Sequence, residues 1–174
     1  MKKIIFLSLF SISVFSDNLI IEDFQDNNAN WQPVSDQVMG GLSEIKFSKL
    51  TEDNINFYRL EGNVSTENNG GFIQFRAKIN PDRNFTGVRI KTRGNKEIYE
   101  IHVRTPRQIF PWQYFAATFK AGEDWEVIEI PFSSFKSVST RQSKFKSSKI
   151  NWIGVVAYGR PFYAEVDLAL IELY

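Results

Sequence analysis

The amino-acid sequence predicts an all-β protein built as an antiparallel sandwich, and three observations lead to this fold class. Apolar and polar residues alternate with a period of two through most of the chain, as in half-buried strands. About ten such runs are separated by Gly, Asn, Asp and Pro, which favour turns. No stretch keeps the spacing of an amphipathic helix. With 174 residues, of which 43% are hydrophobic, the chain can bury one sizeable core.

The N-terminal residues have the pattern of a secretory signal peptide. Met1-Lys2-Lys3 is basic, residues 4–15 are apolar apart from three serines, and a cleavage point follows near Ser16. The apolar run is shorter than the ~20 residues that cross a bilayer. We therefore expect a signal peptide at 1–16 and a single β-sandwich domain at 17–174, exported to the periplasm or secreted, with no integral membrane segment. The alternative is an uncleaved leader that keeps the protein membrane-associated.

Strand candidates follow one another along the rest of the chain without an internal repeat. Gly94-Asn95-Lys96 is predicted to join two of them as a hairpin. Residues 133–149 contain seven Ser, five basic residues and no acid, which is typical of a long mobile surface loop. In chain order, the predicted strands are residues 19–24, 44–50, 55–61, 73–79, 86–93, 97–104, 110–119, 125–130, 150–158 and 162–173.

Composition and charge exclude several classes of function. The 21 basic and 20 acidic residues nearly cancel, so no global field would attract nucleic acid. The absence of cysteine excludes disulfides, thiol catalysis and thiolate metal sites. His102 is the single histidine, and no nucleophile lies near it in the sequence. We therefore expect no enzyme activity, cofactor or metal; a hydrolase with two acids facing each other across a cleft remains an open alternative.

A polar platform is the main candidate binding site. Three strands, treated as neighbours in one sheet, present outward polar residues, and the aromatic run at 110–115 follows them. Planar donors beside flat rings are common in sites for sugars and other polar ligands. The alternative places the rings in the core. The candidate binding residues are Arg76, Arg89, His102, Arg104, Trp112 and Tyr114.

Two short segments with paired glycines stand out from the alternating strands. Each pair lies beside polar side chains that can bond main chain, so we interpret the segments as tight structural corners of the sandwich. The alternative is that they line a partner site. The residues concerned are Asp36, Met39, Gly40, Gly41 and Ser43 in the first segment, and Glu67, Asn68, Asn69, Gly70 and Gly71 in the second.

Together with three later motifs, these segments resemble the complex I intermediate-associated protein 30 family, in its bacterial single-domain type. The resemblance extends from about residue 19 to 173, and the combination is specific although each motif alone is weak. The matching stretches are Trp31 with Asp36-x-Val38-Met39-Gly40-Gly41-x-Ser43, Glu67-Asn68-Asn69-Gly70-Gly71-Phe72, Arg93-Gly94-Asn95-Lys96-x-x-Tyr99, Tyr114-x-Ala116-x-x-Phe119 and Trp125-x-x-Ile128-x-Ile130-Pro131-Phe132-x-x-Phe135.

The resemblance implies an antiparallel jelly-roll β-sandwich of the galactose-binding-like type. It also implies a non-catalytic interaction module similar to assembly factors of respiratory complex I, with a protein partner such as subunits of a membrane complex. Because carbohydrate-binding modules share this fold, the alternative is a carbohydrate-binding module in the cell envelope, with a polysaccharide as its partner.

Overall fold

The computed structural model describes residues 18–25 and 29–174, which form two antiparallel six-stranded sheets. The predicted signal peptide lies outside the described residues, so it stays a prediction. Within the described ranges no helix has the length and apolar character to span a bilayer. The strands are β1 (Leu19–Glu22), β2 (Gln32–Ser35), β3 (Lys46–Glu52), β4 (Ile55–Val64), β5 (Phe72–Lys78), β6 (Gly87–Gly94), β7 (Ile98–Arg104), β8 (Tyr114–Lys120), β9 (Glu126–Pro131), β10 (Lys136–Val138), β11 (Trp152–Tyr158) and β12 (Phe162–Leu173).

Each sheet is organised around one central strand. The β12 sheet has the order β3-β4-β12-β6-β9, and β1 also pairs with β12. The β11 sheet has the order β10-β8-β7-β11-β5-β2. Because few neighbours within a sheet are consecutive in the chain, the polypeptide crosses repeatedly between the sheets. The predicted all-β antiparallel sandwich is confirmed.

The core lies between the inward faces of the two sheets. Alternation predicted correctly which residues of β5, β6 and β7 point inward, since their apolar members are fully buried. Burying one large apolar side chain contributes about 1.5–3 kcal/mol, so this pattern strongly specifies the register of each strand. The buried inward residues of these strands are Ile73, Phe75, Ala77, Val88, Ile90, Tyr99, Ile101 and Val103.

Gly94-Asn95-Lys96 does not form the predicted hairpin within one sheet. β6 ends in the β12 sheet, whereas β7 begins in the β11 sheet. Backbone hydrogen bonds guide the chain across, because Asn95 N donates to Glu165 O (3.1 Å) and Lys96 N donates to Ala121 O (2.9 Å). Both sheets bury their inward sides in the same core, so alternation within a strand cannot tell which sheet it joins.

Two further predictions were wrong in part. The predicted strand 110–119 begins only at Tyr114, because a turn at 110–113 precedes it. The predicted mobile loop 133–149 contains β10 and a short 3₁₀ turn, Ser147–Lys149. This segment is anchored to the sandwich, since the Phe145 ring packs against Phe115 at 4.7 Å and Ser147 Oγ donates to Phe85 O at 2.8 Å. β2 was not predicted at all.

Candidate functional site

The two glycine-paired segments meet around the carboxylate of Asp36, which is fully buried. Its oxygens accept hydrogen bonds from Ser43 N (3.0 Å), Ser43 Oγ (2.5 Å), Gly71 N (2.5 Å) and Phe72 N (3.2 Å). Burial acts to raise the pKa of Asp36, but these hydrogen bonds outweigh it and hold the pKa below its usual value. One carboxylate therefore joins the segment after β2 to the segment before β5.

The glycines make room for this carboxylate. A Cβ atom on Gly41 or Gly70 would overlap the side chain of Asp36. Gly40 has a φ of 88° and Gly71 a φ of 133°, conformations that L side chains rarely adopt. Both pairs are thus required by close approach and by backbone geometry, which supports their interpretation as structural corners.

The remaining motif residues lie at the surface of the same corner. Asn68 Nδ2 donates to Gly40 O at 3.3 Å, so the two segments also touch outside the buried carboxylate. Asn68 and Asn69 have φ values of 55° and 59°, which asparagine tolerates better than most residues. Met39 and Glu67 are exposed. The corner is therefore rigid inside and accessible outside.

The outward face of the β11 sheet brings together most of the predicted binding residues; we call it the β11 face. Arg76 lies opposite Gly154 on β11, and Gly154 lies opposite His102 on β7. Arg104 lies opposite Trp152. Tyr114 joins them on β8, because its ring stacks on the His102 imidazole at 4.0 Å with an interplanar angle of 16°.

Arg89 does not belong to this group, so its assignment to the platform was wrong. It lies on β6 in the β12 sheet, whereas the prediction treated β5, β6 and β7 as neighbours. Its guanidinium forms ion pairs with Glu129 (2.7 Å) and with Glu172. The error follows from the wrongly predicted hairpin, since chain order was taken for sheet order.

Trp112 lies at the rim of the β11 face and not on a strand. Its side chain is 58% exposed and stacks on Phe110 at 4.9 Å with an interplanar angle of 4°. Arg104 connects this rim to the sheet, because its Nη2 donates to Gln108 O (2.8 Å) and Phe110 O (3.1 Å). The rim therefore presents two parallel rings above the end of β7.

The floor of the β11 face is aromatic. The Tyr158 ring lies edge-on to His102 (5.9 Å) and to Tyr114 (6.4 Å). Burial, followed by a hydrogen bond with Tyr158, raises the pKa of Tyr114. Val156 also points outward in the register of β11, yet only 1% of it is exposed. Tyr114 is itself only 8% exposed, and its ring is buried against His102 and Tyr158 on the outer side of the sheet.

Trp152 is a central residue of this face that the sequence reasoning missed. The Arg76 guanidinium lies 4.9 Å from the centre of its ring and Lys78 Nζ lies 5.4 Å from it, both as cation–π contacts. Tyr158 was missed in the same way. The signal was weak, because β11 reads Trp-Ile-Gly-Val-Val-Ala-Tyr and is apolar on both sides, so alternation could not identify an outward set.

On the outer side of the β12 sheet, arginines lie beside carboxylates in a cleft. A cleft of about 440 Å³ there is lined by four acids and two arginines, among other residues. Asp167 lies between the two arginines, with Arg59 Nε at 2.7 Å and Arg93 Nε at 2.8 Å. The acids lining this cleft are Glu52, Glu123, Glu165 and Asp167. Its arginines are therefore neutralised by the protein's own carboxylates.

Comparisons with known proteins agree with the fold and the motifs. The sequence model of the family described as "Complex I intermediate-associated protein 30" matches residues 22–168. The chain belongs to the complex I intermediate-associated protein 30 family. The resemblance stated from the motifs is confirmed over most of the described chain. A search of the curated proteins found no match.

Several solved structures similar to this family member are carbohydrate-binding modules with jelly-roll folds. The family 11 module from Clostridium thermocellum, in complex with a β-1,3-1,4-mixed-linked tetrasaccharide, has a TM-score of 0.72 at 14% identity, covering 90% of this chain and 94% of that one. A family 30 module has a TM-score of 0.61 at 14% identity, covering 90% of this chain and 98% of that one. At such identities the likeness concerns the fold, and the predicted jelly-roll sandwich is confirmed.

Proposed function

We propose that this family member is a non-catalytic module that binds a polysaccharide on the β11 face. The observation that carries the proposal is the combination of exposed rings at the rim, aromatic floor and planar cationic donors on one side of one sheet. Sugar rings have apolar faces that stack on aromatic side chains, and hydroxyl groups that bond planar donors and acceptors. The β-1,3-1,4-mixed-linked tetrasaccharide bound by a family 11 carbohydrate-binding module of the same fold supports this proposal.

The rim and the floor would have different roles in binding. Trp112 and Phe110 offer exposed ring surface on which a sugar can stack. His102 and Glu100 offer polar atoms on the floor, where His102 Nε2 lies 2.5 Å from Glu100 Oε2. Because this pair is positioned by the Tyr114 stack, its orientation is set before a ligand arrives, which lowers the entropic cost of binding.

Affinity electrophoresis through gels that contain polysaccharides tests the proposal. Trp112→Ala and Tyr158→Ala should each weaken the affinity for the polysaccharide at least about tenfold, a loss of about 1.4 kcal/mol in binding free energy. The weaker affinity is measured as reduced retardation in the gel. Trp125→Ala is the control, because Trp125 is also a partly exposed tryptophan but lies on the opposite side of the sandwich, beside Lys91 and Arg93 of β6. Absence of retardation with every polysaccharide would contradict the proposal, as would equal retardation of all variants.

Association with a protein complex is a second candidate, suggested by the family name. The observation that favours it is an apolar ridge on the Asp36 corner, where Val38, Met39 and Leu42 are 73%, 60% and 51% exposed. Three large apolar side chains this exposed within five residues are unusual on a surface without a partner. Under this proposal the rigid corner would hold the ridge in place for a membrane-complex subunit.

A pull-down from detergent-solubilised membranes tests this second candidate. Val38→Ser with Met39→Ser should lose the subunits of respiratory complex I that the unmodified protein retains, identified by mass spectrometry. Val127→Ser is the control, because Val127 is 60% exposed on β9, away from the ridge. Retention of the same subunits by the double variant, or of none by the unmodified protein, would contradict the association.

We also propose that the protein is exported and that its leader is removed near Ser16. Cleavage there would leave the first strand intact, since β1 begins at Leu19. N-terminal sequencing of protein recovered from periplasmic and culture fractions should read from Asp17. An intact Met1 in the cytoplasmic fraction would overturn the export proposal and would favour the assembly candidate.

A further inference from the structure

Cations on the two outer surfaces of the sandwich differ in their counter-charges. On the β12 sheet, Arg59, Arg89 and Arg93 each pair with two carboxylates. On the β11 face, no ion pair formed within the described ranges includes Arg76, Lys78 or Arg104. The outward arginines of the β12 sheet are therefore neutralised by carboxylates, whereas those of the β11 face have no carboxylate counter-ion among the described residues.

In the part of the chain that the structure describes, the one acidic side chain on the outward side of this sheet contacts a histidine and forms no hydrogen bond with either of the two arginines. Glu100 is the only acidic residue among the outward positions of the six strands of the β11 sheet, and its Oε2 lies 2.5 Å from His102 Nε2. Neither arginine has a hydrogen bond to it. The excess of positive charge on this face is thus not cancelled by the face itself.

Burial makes the unneutralised charge costly. The Nε atoms of Arg76 and Arg104 are buried and have no hydrogen-bond partner in the described structure. Loss of water lowers the pKa of Arg76, and it lowers that of Arg104 together with repulsion from Arg76. A buried donor left unpaired destabilises the structure, and more so when it is charged. An anion that contacts the two terminal amino groups would offset part of this cost.

The cations are also held in fixed positions. Trp152 lies between Lys78 on β5 and Arg104 on β7 in the ladder, and Arg76 and Lys78 lie over its ring. Gly154 leaves room for this arrangement, since a Cβ there would lie 3.1 Å from Arg76 Cβ. Arg104 Nη2 donates its hydrogen bonds to the rim carbonyls, so the N–H groups of Nη1 remain for a ligand. Two cations therefore lie over one ring, and a third lies opposite the same residue on β7.

We infer that the ligand of the β11 face is an acidic polysaccharide, whose carboxylate or sulfate group is held by Arg76, Arg104 and Lys78 beside Trp152. This inference rests on the proposed polysaccharide binding and narrows its substrate class. Guanidinium groups recognise carboxylate and sulfate oxygens with paired donors, and the neighbouring rim rings would stack on the sugar that carries the anion.

Paired polysaccharides that share a backbone, one member charged and the other neutral, test the inference. Affinity electrophoresis compares polygalacturonate with its fully methyl-esterified form, and dextran sulfate with dextran. We expect the carboxylated or the sulfated polymer to bind at least about tenfold more tightly than its neutral partner, and to weaken as ionic strength rises from about 0.01 to 0.15 M. The arm that shows this preference identifies the anionic group.

Arg76→Gln is the decisive variant. It should weaken binding of the acidic polymer about tenfold and leave any weak binding of the neutral partner unchanged, whereas Arg76→Lys should restore part of the affinity. Lys91→Gln is the matched control, because it removes one charge beside a tryptophan on the β12 sheet. Without ligand, Arg76→Gln should not lower the urea midpoint, since it removes a partly buried cation that lacks a counter-ion.

The outcomes separate the inference from the proposed function. Equal binding of charged and neutral partners would overturn the acidic class while leaving polysaccharide binding in place. Binding of the acidic polymer that Arg76→Gln and Lys91→Gln weaken equally would overturn it too, since attraction would then be general. Binding to none of the four polymers, with retardation by another neutral polysaccharide, would overturn the acidic class alone; retardation by no polysaccharide at all would overturn both.

Discussion

At the scale of single residues, Asp36 controls the corner that defines the family motif. Its carboxylate accepts four hydrogen bonds from Ser43, Gly71 and Phe72 while excluded from water. The sequence predicted correctly that Asp36 and Ser43 bond main chain around the glycine pairs. It did not reveal that both pairs surround the same carboxylate, because that contact joins residues 35 positions apart.

Asp36→Asn should lower the free energy of unfolding by about 3 kcal/mol. The amide turns an NH₂ group toward backbone donors, so that at least one buried N–H loses its acceptor, and each such loss costs about 1–3 kcal/mol. Urea unfolding at neutral pH measures the effect. Asp82→Asn serves as the control, because its side chain is 73% exposed. Equal midpoints for Asp36→Asn and the unmodified protein would contradict this account.

The same carboxylate should make stability depend on pH. Because the folded protein holds the pKa of Asp36 below its ordinary value of 3.8, the stabilisation is fully present above that value. It is lost as the pH falls through the lower pKa of the folded state. The difference in unfolding free energy between the unmodified protein and Asp36→Asn should therefore shrink below about pH 4. A difference that stays constant between pH 5 and pH 2 would argue against the shift.

At the scale of elements, Tyr99 connects the two sheets through hydrogen bonds of its hydroxyl group. Tyr99 lies on β7 in the β11 sheet. Its hydroxyl reaches β12 in the other sheet, where it accepts a hydrogen bond from Glu165 N at 2.9 Å. The hydroxyl also lies 2.6 Å from Asn95 Oδ1, in the crossover that the sequence misassigned as a hairpin. The sequence predicted that Tyr99 is buried, but its polar partners come from the other sheet.

Tyr99→Phe should lower the free energy of unfolding by about 1–2 kcal/mol, since the ring is kept while Glu165 N–H and the Asn95 side chain lose their partner. Chemical denaturation followed by tryptophan fluorescence measures this. Tyr163→Phe is the control, as the Tyr163 hydroxyl makes a 3.3 Å contact with Glu61 at the surface. A loss of the same size in both variants would show that Tyr99 does not act by tying the sheets together.

At the scale of the whole molecule, the start of the described chain completes the fold near its end. β1 pairs with the last residues of β12, aligning Leu19 with Leu173. Glu22 on this strand is buried and accepts a hydrogen bond from Trp31 Nε1 at 3.1 Å. The segment just after the predicted cleavage point is therefore part of the sandwich.

A protein beginning at Asp23 should unfold more easily than one beginning at Asp17, by about 3–5 kcal/mol. The shorter chain loses the burial of Ile21, worth about 1.5–3 kcal/mol, and leaves the Trp31 N–H without its acceptor, at about 1–3 kcal/mol. Thermal unfolding of the two chains measures the difference. Matching melting temperatures would mean that β1 is dispensable.

The sequence by itself determined the fold class, the inward face of most strands and the family. These depend on local information: alternation with a period of two decides which side of a strand is buried, and the glycine motifs require particular backbone angles. It also predicted that Arg76, His102, Arg104 and Tyr114 share a face, which holds because β5 and β7 both flank β11.

Only the tertiary structure decided which strands share a sheet. Backbone hydrogen bonds between strands are nearly independent of side chains, so chain order was a poor guide where the polypeptide crosses between sheets. The observed sheet order excluded Arg89 from the β11 face. It placed Trp152 on that face, although the strand of Trp152 is apolar on both sides. It also revealed that the outward arginines of the β12 sheet pair with carboxylates and that, within the described ranges, Arg76 and Arg104 on the β11 face do not, because pairing of charges depends on contacts between residues distant in the chain.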